Sequence, residues 1–212
     1  MKPLVVKLGG STAGQEEMQR WIEVLATAAF PLVIVPGGGP FADQVRVSQK
    51  RLAYSDKAAH AMAILAMDQF GIAIADRNTR LQPARSVVEI HEVLDAGNMP
   101  VWLPSFMTID ASDIPCSWDV TSDSLSAWLC GQLRFNSLLL IKQTDEYQHY
   151  ASVTDLAEAG IVDSLLPAML CEGTRVHVAG PQALDLLDLP LASIPGRMIM
   201  QYRMAAEGFV AQ

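Results

Sequence analysis

Short apolar runs alternate with segments of helical periodicity along the whole chain. Pro3 to Leu8 is apolar and β-branched and predicts a strand, and Pro31 to Val35 predicts a second, closed by the sequence PGGGP. Between them Met18, Ile22, Leu25 and Ala29 recur at helical spacing within Gln15 to Ala29. Phe41 to Gln49 reads as helix, and Ser55 is a good N-cap for a long helix reaching about Phe70. Val87 to Ile90 and Val101 to Leu103 predict short strands. Thr121 or Ser122 can cap a helix that reaches Leu133. Ser137 to Ile141, SLLLI, is apolar throughout and predicts a buried strand. A short helix over Asp163 to Leu170, a strand over Arg175 to Ala179 and a helix over Pro181 to Leu187 complete the pattern. Strands separated by helices require crossover connections. The expected fold class is therefore α/β, a three-layer α/β/α sandwich around a mainly parallel sheet. No internal repeat and no linker interrupt it, so 1–212 reads as one domain, and the Pro-, Ser- and Asp-rich stretch from Ser105 to Trp118 is the candidate long functional loop.

Composition narrows the class. Half of the residues are hydrophobic and 18% are charged, which supplies a core and excludes the signature of disorder. The net charge of -8 and 15 scattered basic residues argue against nucleic acid as a partner, since neutralising its phosphates needs clustered Lys and Arg. Backbone amides and a few lysines can still bind a phosphate locally. Cys116, Cys130 and Cys171 are far apart, odd in number and without a CxxC spacing, which points to a reducing, cytoplasmic setting and away from a disulfide framework or zinc site. The opening MKPLVVKLGGS reads as a strand rather than a signal peptide. The most apolar stretch, Ala58 to Ala75, carries His60, Asp68 and Gln69 and reads as a buried helix, with no membrane partner.

Polar groups concentrate where the predicted strands end. Lys7, Gly9, Gly10 and Ser11 follow the first strand, and in an open α/β sheet ligands bind at the carboxyl ends of strands. Two glycines let the backbone approach a phosphate, and a lysine beside them can spread charge over a phosphoryl group. The plainer alternative is a turn with a surface lysine. Gly37, Gly38 and Gly39 stand between two prolines after the second strand, more glycine than a simple turn needs. Neither a Walker loop nor GxGxxG is present. Asp119, Thr121, Ser122 and Asp123 lie at a helix entrance, where an aspartate is by default a cap and can also orient a lysine. Lys142, Thr144 and Asp145 leave the apolar strand. His60 and His177 read as core histidines, and no metal-ligand spacing appears.

Taken in order, the strand ending in KLGGS, the strand ending in PGGGP, the TSDS helix entrance and the LLLIK-x-TD strand exit resemble the amino acid kinase superfamily over roughly the whole chain. Within it, the stretch from Ser55 to Gln69 and WDVTSDS from Trp118 to Ser124 look most like the small kinases of the methanofuran pathway. The resemblance implies the amino acid kinase fold, with an acceptor and phosphate half over about 1–135 and an abbreviated nucleotide half over about 136–212. It implies ATP with Mg²⁺, a small-molecule phosphoacceptor such as an aminomethyl-furan-methanol phosphate, and a homo-oligomer in which the helix from Ser55 is a candidate interface. Lys7 and Asp123 would be catalytic, the aspartate orienting the ammonium, with both side chains at a loop edge. Gly9, Gly10, Ser11, Gly37, Gly38, Gly39 and Asp119 would bind phosphate or acceptor, and Lys142, Thr144 and Asp145 the nucleotide. Two departures stand out. No lysine follows Lys142, so the second catalytic lysine that many members carry downstream is missing, and Glu146 to Tyr150 replaces the usual DGVY. These departures leave open an alternative, a catalytically impaired binding member acting as sensor or subunit.

Overall fold

The computed structural model describes residues 3–10 and 13–202. Its strands are β1 (Leu4–Leu8), β2 (Leu32–Pro36), β3 (Leu81–Ala84), β4 (Met99–Trp102), β5 (Ser137–Ile141), β6 (Arg175–Ala179) and β7 (Arg197–Ile199). They form one sheet in the order β3-β4-β2-β1-β5-β6-β7, parallel throughout except for the β6–β7 pair. The helices are α1 (Glu16–Ala26), α2 (Gly39–Leu52), α3 (Asp56–Ala75), α4 (Val87–Asp95), α5 (Ser105–Thr108), α6 (Ser122–Leu133), α7 (Val153–Glu158), α8 (Leu166–Met169) and α9 (Pro181–Asp185). The architecture is the expected α/β sandwich.

Strand alternation sorts the side chains onto two faces. Val5, Val33, Val35, Leu138 and Leu140 face one core cluster, which α6 fills with Leu125, Leu129 and Leu133. Leu4, Val6, Leu8, Leu32, Ile34 and Leu139 face the other, which α1 covers with Trp21, Ile22 and Leu25. Helix α3 serves both, giving Ile64 and Met67 to the first cluster and Phe70 and Ile74 to the second. By length and composition α3 is apolar enough to cross a membrane, and half of its most apolar window is buried in the fold. Its outward residues Met62, Leu65 and Ile72 are exposed.

Several elements differ from the pattern read off the chain. Val87 to Ile90 opens helix α4, and the strand of this region is Leu81–Ala84. Ser86 Oγ accepts from Glu89 N at 3.2 Å and fixes the helix start, while Ile90, Val93 and Leu94 give it an apolar face that four residues alone cannot reveal. Strand β3 carries Pro83, which an edge position tolerates. Helix α2 begins inside the glycine loop at Gly39 and ends at Ala53 in the left-handed conformation, φ 53°. Helix α1 stops at Ala26 rather than Ala29, and α9 at Asp185 rather than Leu187. Helix α8 starts at Leu166, not Asp163, because the Asp163 side chain is engaged elsewhere. The Ser105 to Trp118 stretch opens with α5, whose first amide, Ser105 N, donates to Asp68 Oδ1 at 3.1 Å.

Leu139 is fully buried in a strand that has a neighbour on each side, between β1 and β6. Leu139→Ala should cost about 2–5 kcal/mol, read as a lower urea midpoint with an unchanged slope. A loss under about 1 kcal/mol would mean that this face of the sheet is far more loosely packed than described.

Candidate active site

The two lysines that face each other across β1 and β5 are set there by strand alternation. Lys7 follows Val5 on the α6 face of β1, and in the register it is paired with Leu140. Lys142 continues the alternation of Leu138 and Leu140, one residue beyond the end of β5. Both ammonium groups therefore come to one face, beneath the N-terminus of α6. There Asp123 receives them, with Lys7 Nζ 3.0 Å from Oδ1 and Lys142 Nζ donating to Oδ2 at 2.5 Å. Asp163 N also donates to Asp123 Oδ2, at 3.3 Å. The side chains are 9%, 12% and 3% exposed for Lys7, Lys142 and Asp123, so this is a buried ion triad and not the loop-edge pair expected from sequence.

Burial by itself would raise the Asp123 carboxyl, but Lys142 and Lys7 together outweigh it and hold the group well below the ordinary carboxylate range. Burial lowers the Lys142 ammonium, helped by the nearby Lys7 and opposed by Asp123. The Asp163 carboxylate also acts on Lys142, so two ammonium groups and two carboxylates gather at the carboxyl edge of the sheet. The start of α6 is braced by Asp163, whose Oδ2 accepts from Thr121 N at 2.8 Å and Ser124 N at 3.0 Å. Thr121 Oγ1 donates to Asp163 Oδ1 at 2.6 Å, so the expected cap residue is itself held by a carboxylate 42 positions away. Nothing in the local sequence at Asp163 signals this role.

The two glycine loops touch each other. A Cβ on Gly10 would lie 2.5 Å from Gly39 Cα, and one on Gly37 would lie 3.0 Å from Gly10 Cα. Gly37 N donates to Leu8 O at 2.9 Å, tying the second loop to the end of β1. Glycine is thus demanded first by loop-on-loop packing, and at Gly39 also by φ +55°.

Lys7, Gly10 and Gly37 to Gly39 border a cleft of about 310 Å³ that runs between α2, α3 and the start of α6. Its far wall is Trp118, at the end of the long loop. Trp118 Nε1 donates to Gln49 Oε1 at 2.8 Å, and the Arg46 guanidinium lies 4.5 Å from the ring centroid. Ile64, Met67 and Leu125 supply apolar lining, and His60, read from sequence as core, is buried but lines this cleft.

Other expected site residues fall elsewhere. Asp119 is on an exposed turn outside the cleft, where its Oδ2 accepts from Ser117 Oγ at 3.3 Å. Ser11 lies outside the described residues. Gly9 is buried beside Gly10. Thr144 Oγ1 accepts from Glu146 N at 3.1 Å, and Asp145 Oδ2 accepts from Gln182 N at 3.2 Å at the start of α9. Both sit on the β6 side of the edge, against Gly180, where any side chain would strike Asp145 and the Thr144 carbonyl.

The model of the amino acid kinase family matches residues 2–86, which contain Lys7 and both glycine loops. Over that segment the chain is similar to the amino acid kinase family. The 5-(aminomethyl)furan-3-ylmethyl phosphate kinase of Methanocaldococcus jannaschii is 28% identical over 143 residues, 66% of this chain and 66% of that one. The chain thus spans just under two thirds of the length of that curated relative. The UMP kinase of Bacillus anthracis superposes with a TM-score of 0.66 at 15% identity, covering 94% of this chain and 96% of that one. The UMP kinase of Ureaplasma parvum gives 0.62 at 15% identity, covering 85% and 90%. These two structures share the amino acid kinase fold with this chain.

The triad couples stability to pH. With its folded pKa depressed, Asp123 contributes stability that is fully present above about pH 4 and lost as pH falls through the folded value. Lys142 is depressed as well, so its share of stability rises as pH climbs from the folded pKa toward about 10.4. Asp123→Asn leaves two buried ammonium groups without their anion and should cost about 3–5 kcal/mol at neutral pH. Part of that loss should return at alkaline pH as Lys142 releases its proton. Urea unfolding of both proteins at neutral pH and near pH 9.5 checks this, and a gap that widens at high pH would contradict the description of the triad.

Proposed function

We propose that this protein is an ATP-dependent phosphotransferase whose acceptor is a small phosphate monoester of the aminomethyl-furan-methanol phosphate type. One observation carries the reading: two ammonium groups share one buried carboxylate beside two interlocked glycine loops, and Lys7 and those loops border the same cleft. Lys7 and Lys142 would neutralise charge on the transferring phosphoryl group, and Asp123 would hold both in position. In the in-line step an acceptor phosphate oxygen forms the new bond to the γ-phosphorus as the bond to the departing ADP oxygen breaks. Asp123, held ionised by its two lysines, is poorly suited to take up a proton. An acceptor whose nucleophilic oxygen is already ionised needs no base, which favours a phosphate over an alcohol. Gly10 and Gly37 to Gly39 would cradle the acceptor end, with Gly9 backing them, and the nucleotide would lie toward Thr144 and Asp145. Among the described residues no group of three or more His, Cys, Asp or Glu is assembled, so Mg²⁺ would arrive with the nucleotide phosphates. The furan acceptor is supported by the name of the curated relative and by the small cleft.

The alternative of a catalytically impaired binding member rests on the absence of a lysine after Lys142. Lys142 supplies a second ammonium at the carboxylate that Lys7 meets, which supports the transferase reading over that alternative.

Release of ADP from ATP with the aminomethylfuran phosphate, beside UMP, tests the function. Lys7→Ala and Lys142→Ala should each lose about 3–4 kcal/mol of transition-state stabilisation, a few hundredfold in rate, and the double variant little more than either. Near wild-type turnover in either single variant would sink the mechanism, while turnover of UMP alone would keep the kinase and replace the acceptor.

The exposed apolar residues Met62, Leu65 and Ile72 lie on the outward side of α3, and the assembly proposed is a homodimer that covers this side. Light scattering should give twice the mass of 23.0 kDa, and Leu65→Glu should shift the population toward monomer. A monomer at all micromolar concentrations would exclude the dimer.

A further inference from the structure

The phosphate chemistry leaves His60 unused. This side chain is 7% exposed, stands one turn into α3 and lines the same cleft as Lys7 and Gly38. Its Nε2 is buried with no hydrogen-bond partner among the described residues. Burial pulls the pKa of this ring below its ordinary value, which favours the neutral imidazole. A buried ring nitrogen without a partner is unfavourable, and with the lone pair on Nε2 the ligand is what remains to supply a donor.

The surrounding charges narrow the donor. Asp56 stands one turn before His60 on the same side of α3, and Asp43 faces the cleft from α2. Asp56 Oδ1 accepts from Gln49 Nε2 at 2.8 Å, and neither carboxylate forms an ion pair among the described residues. The cleft's arginine, Arg46, is stacked on Trp118. We infer that this part of the cleft takes a primary ammonium group of the acceptor, which donates to His60 Nε2 and is balanced by Asp43 and Asp56. The acceptor class is then a zwitterion, a phosphate monoester at the Lys7 end and an amine at the His60 end, joined by a small flat body that Ile64, Met67 and Val120 can cover. This rests on the phosphotransferase reading for the place of the phosphate. His60 acts here as a specificity-determining residue, with no part in the transfer step.

The test uses two phosphate monoesters that differ only at the amine: the aminomethylfuran phosphate and its analogue with methyl in place of aminomethyl. Binding is read by calorimetry and transfer by ADP release, for the wild type, His60→Leu, Asp43→Asn and Asp56→Asn. The wild type should favour the amine by about tenfold or more, a preference that His60→Leu abolishes and each aspartate variant reduces, with the methyl compound bound alike by all. Equal binding of the two compounds by the wild type, or a preference kept in every variant, overturns the inference, as does binding of neither. A preference in binding without any ADP release supports it while sinking the kinase reading. Should His60→Leu fail to fold, the two exposed aspartates decide: a preference unchanged in both variants overturns the inference, and a reduced one supports it.

Discussion

A single buried carboxylate holds two ammonium groups at the centre of this molecule. Asp123 is almost fully enclosed, and a carboxylate in that position is unfavourable unless opposite charge sits against it. Lys7 and Lys142 meet that condition, and Asp163 beside them adds a second carboxylate that acts on Lys142. The strand order that puts β1 beside β5, the start of α6 above them, and Asp163 bracing that start all serve this arrangement.

The glycine loops depend on it and complete it. Their backbones pack directly on one another, so that neither loop admits a side chain at Gly10 or Gly37 without moving the other. That close approach brings the ends of β1 and β2 together beside Lys7. Repeated glycine here has two separate physical causes, mutual contact of the loops and a left-handed turn at Gly39. The two lysines thus sit on the rigid edge of the sheet, where strand pairing fixes them. The rest of the cleft wall comes from α2, α3 and the Trp118 loop.

Such a division fits the distribution of family likeness. The match to the family model ends at residue 86, before α6 and β5. Lys142 reaches Asp123 from the end of a core strand that lies outside that match. A charge held in a site is defined by where its nitrogen lies, not by which segment of chain delivers it.

Much of this was legible along the chain. Apolar runs broken by helical periodicity determined the parallel sandwich, because a strand buried on both faces must be apolar throughout, as SLLLI is. The clustering of Lys7, two glycine loops, Asp123 and Lys142 at strand ends and a helix entrance marked the edge at which the structure brings Lys7, Asp123 and Lys142 together, since that edge is where strands of an open sheet stop. Alternation from Leu138 and Leu140 even carries Lys142 to the face of Lys7, a step that needs the β1–β5 register to become visible. What the chain could not disclose depends on contacts between distant segments. Asp163 looks like a helix start and is a cap for another helix; Asp119 looks like a ligand and is held in its own turn; His60 looks like core and opens into a cleft. Burial, partner and charge environment belong to the packing of α2, α3, α6 and the Trp118 loop around one volume. Local propensity determined which elements form, and only their three-dimensional docking decided which polar atoms were satisfied and which were left facing the cleft.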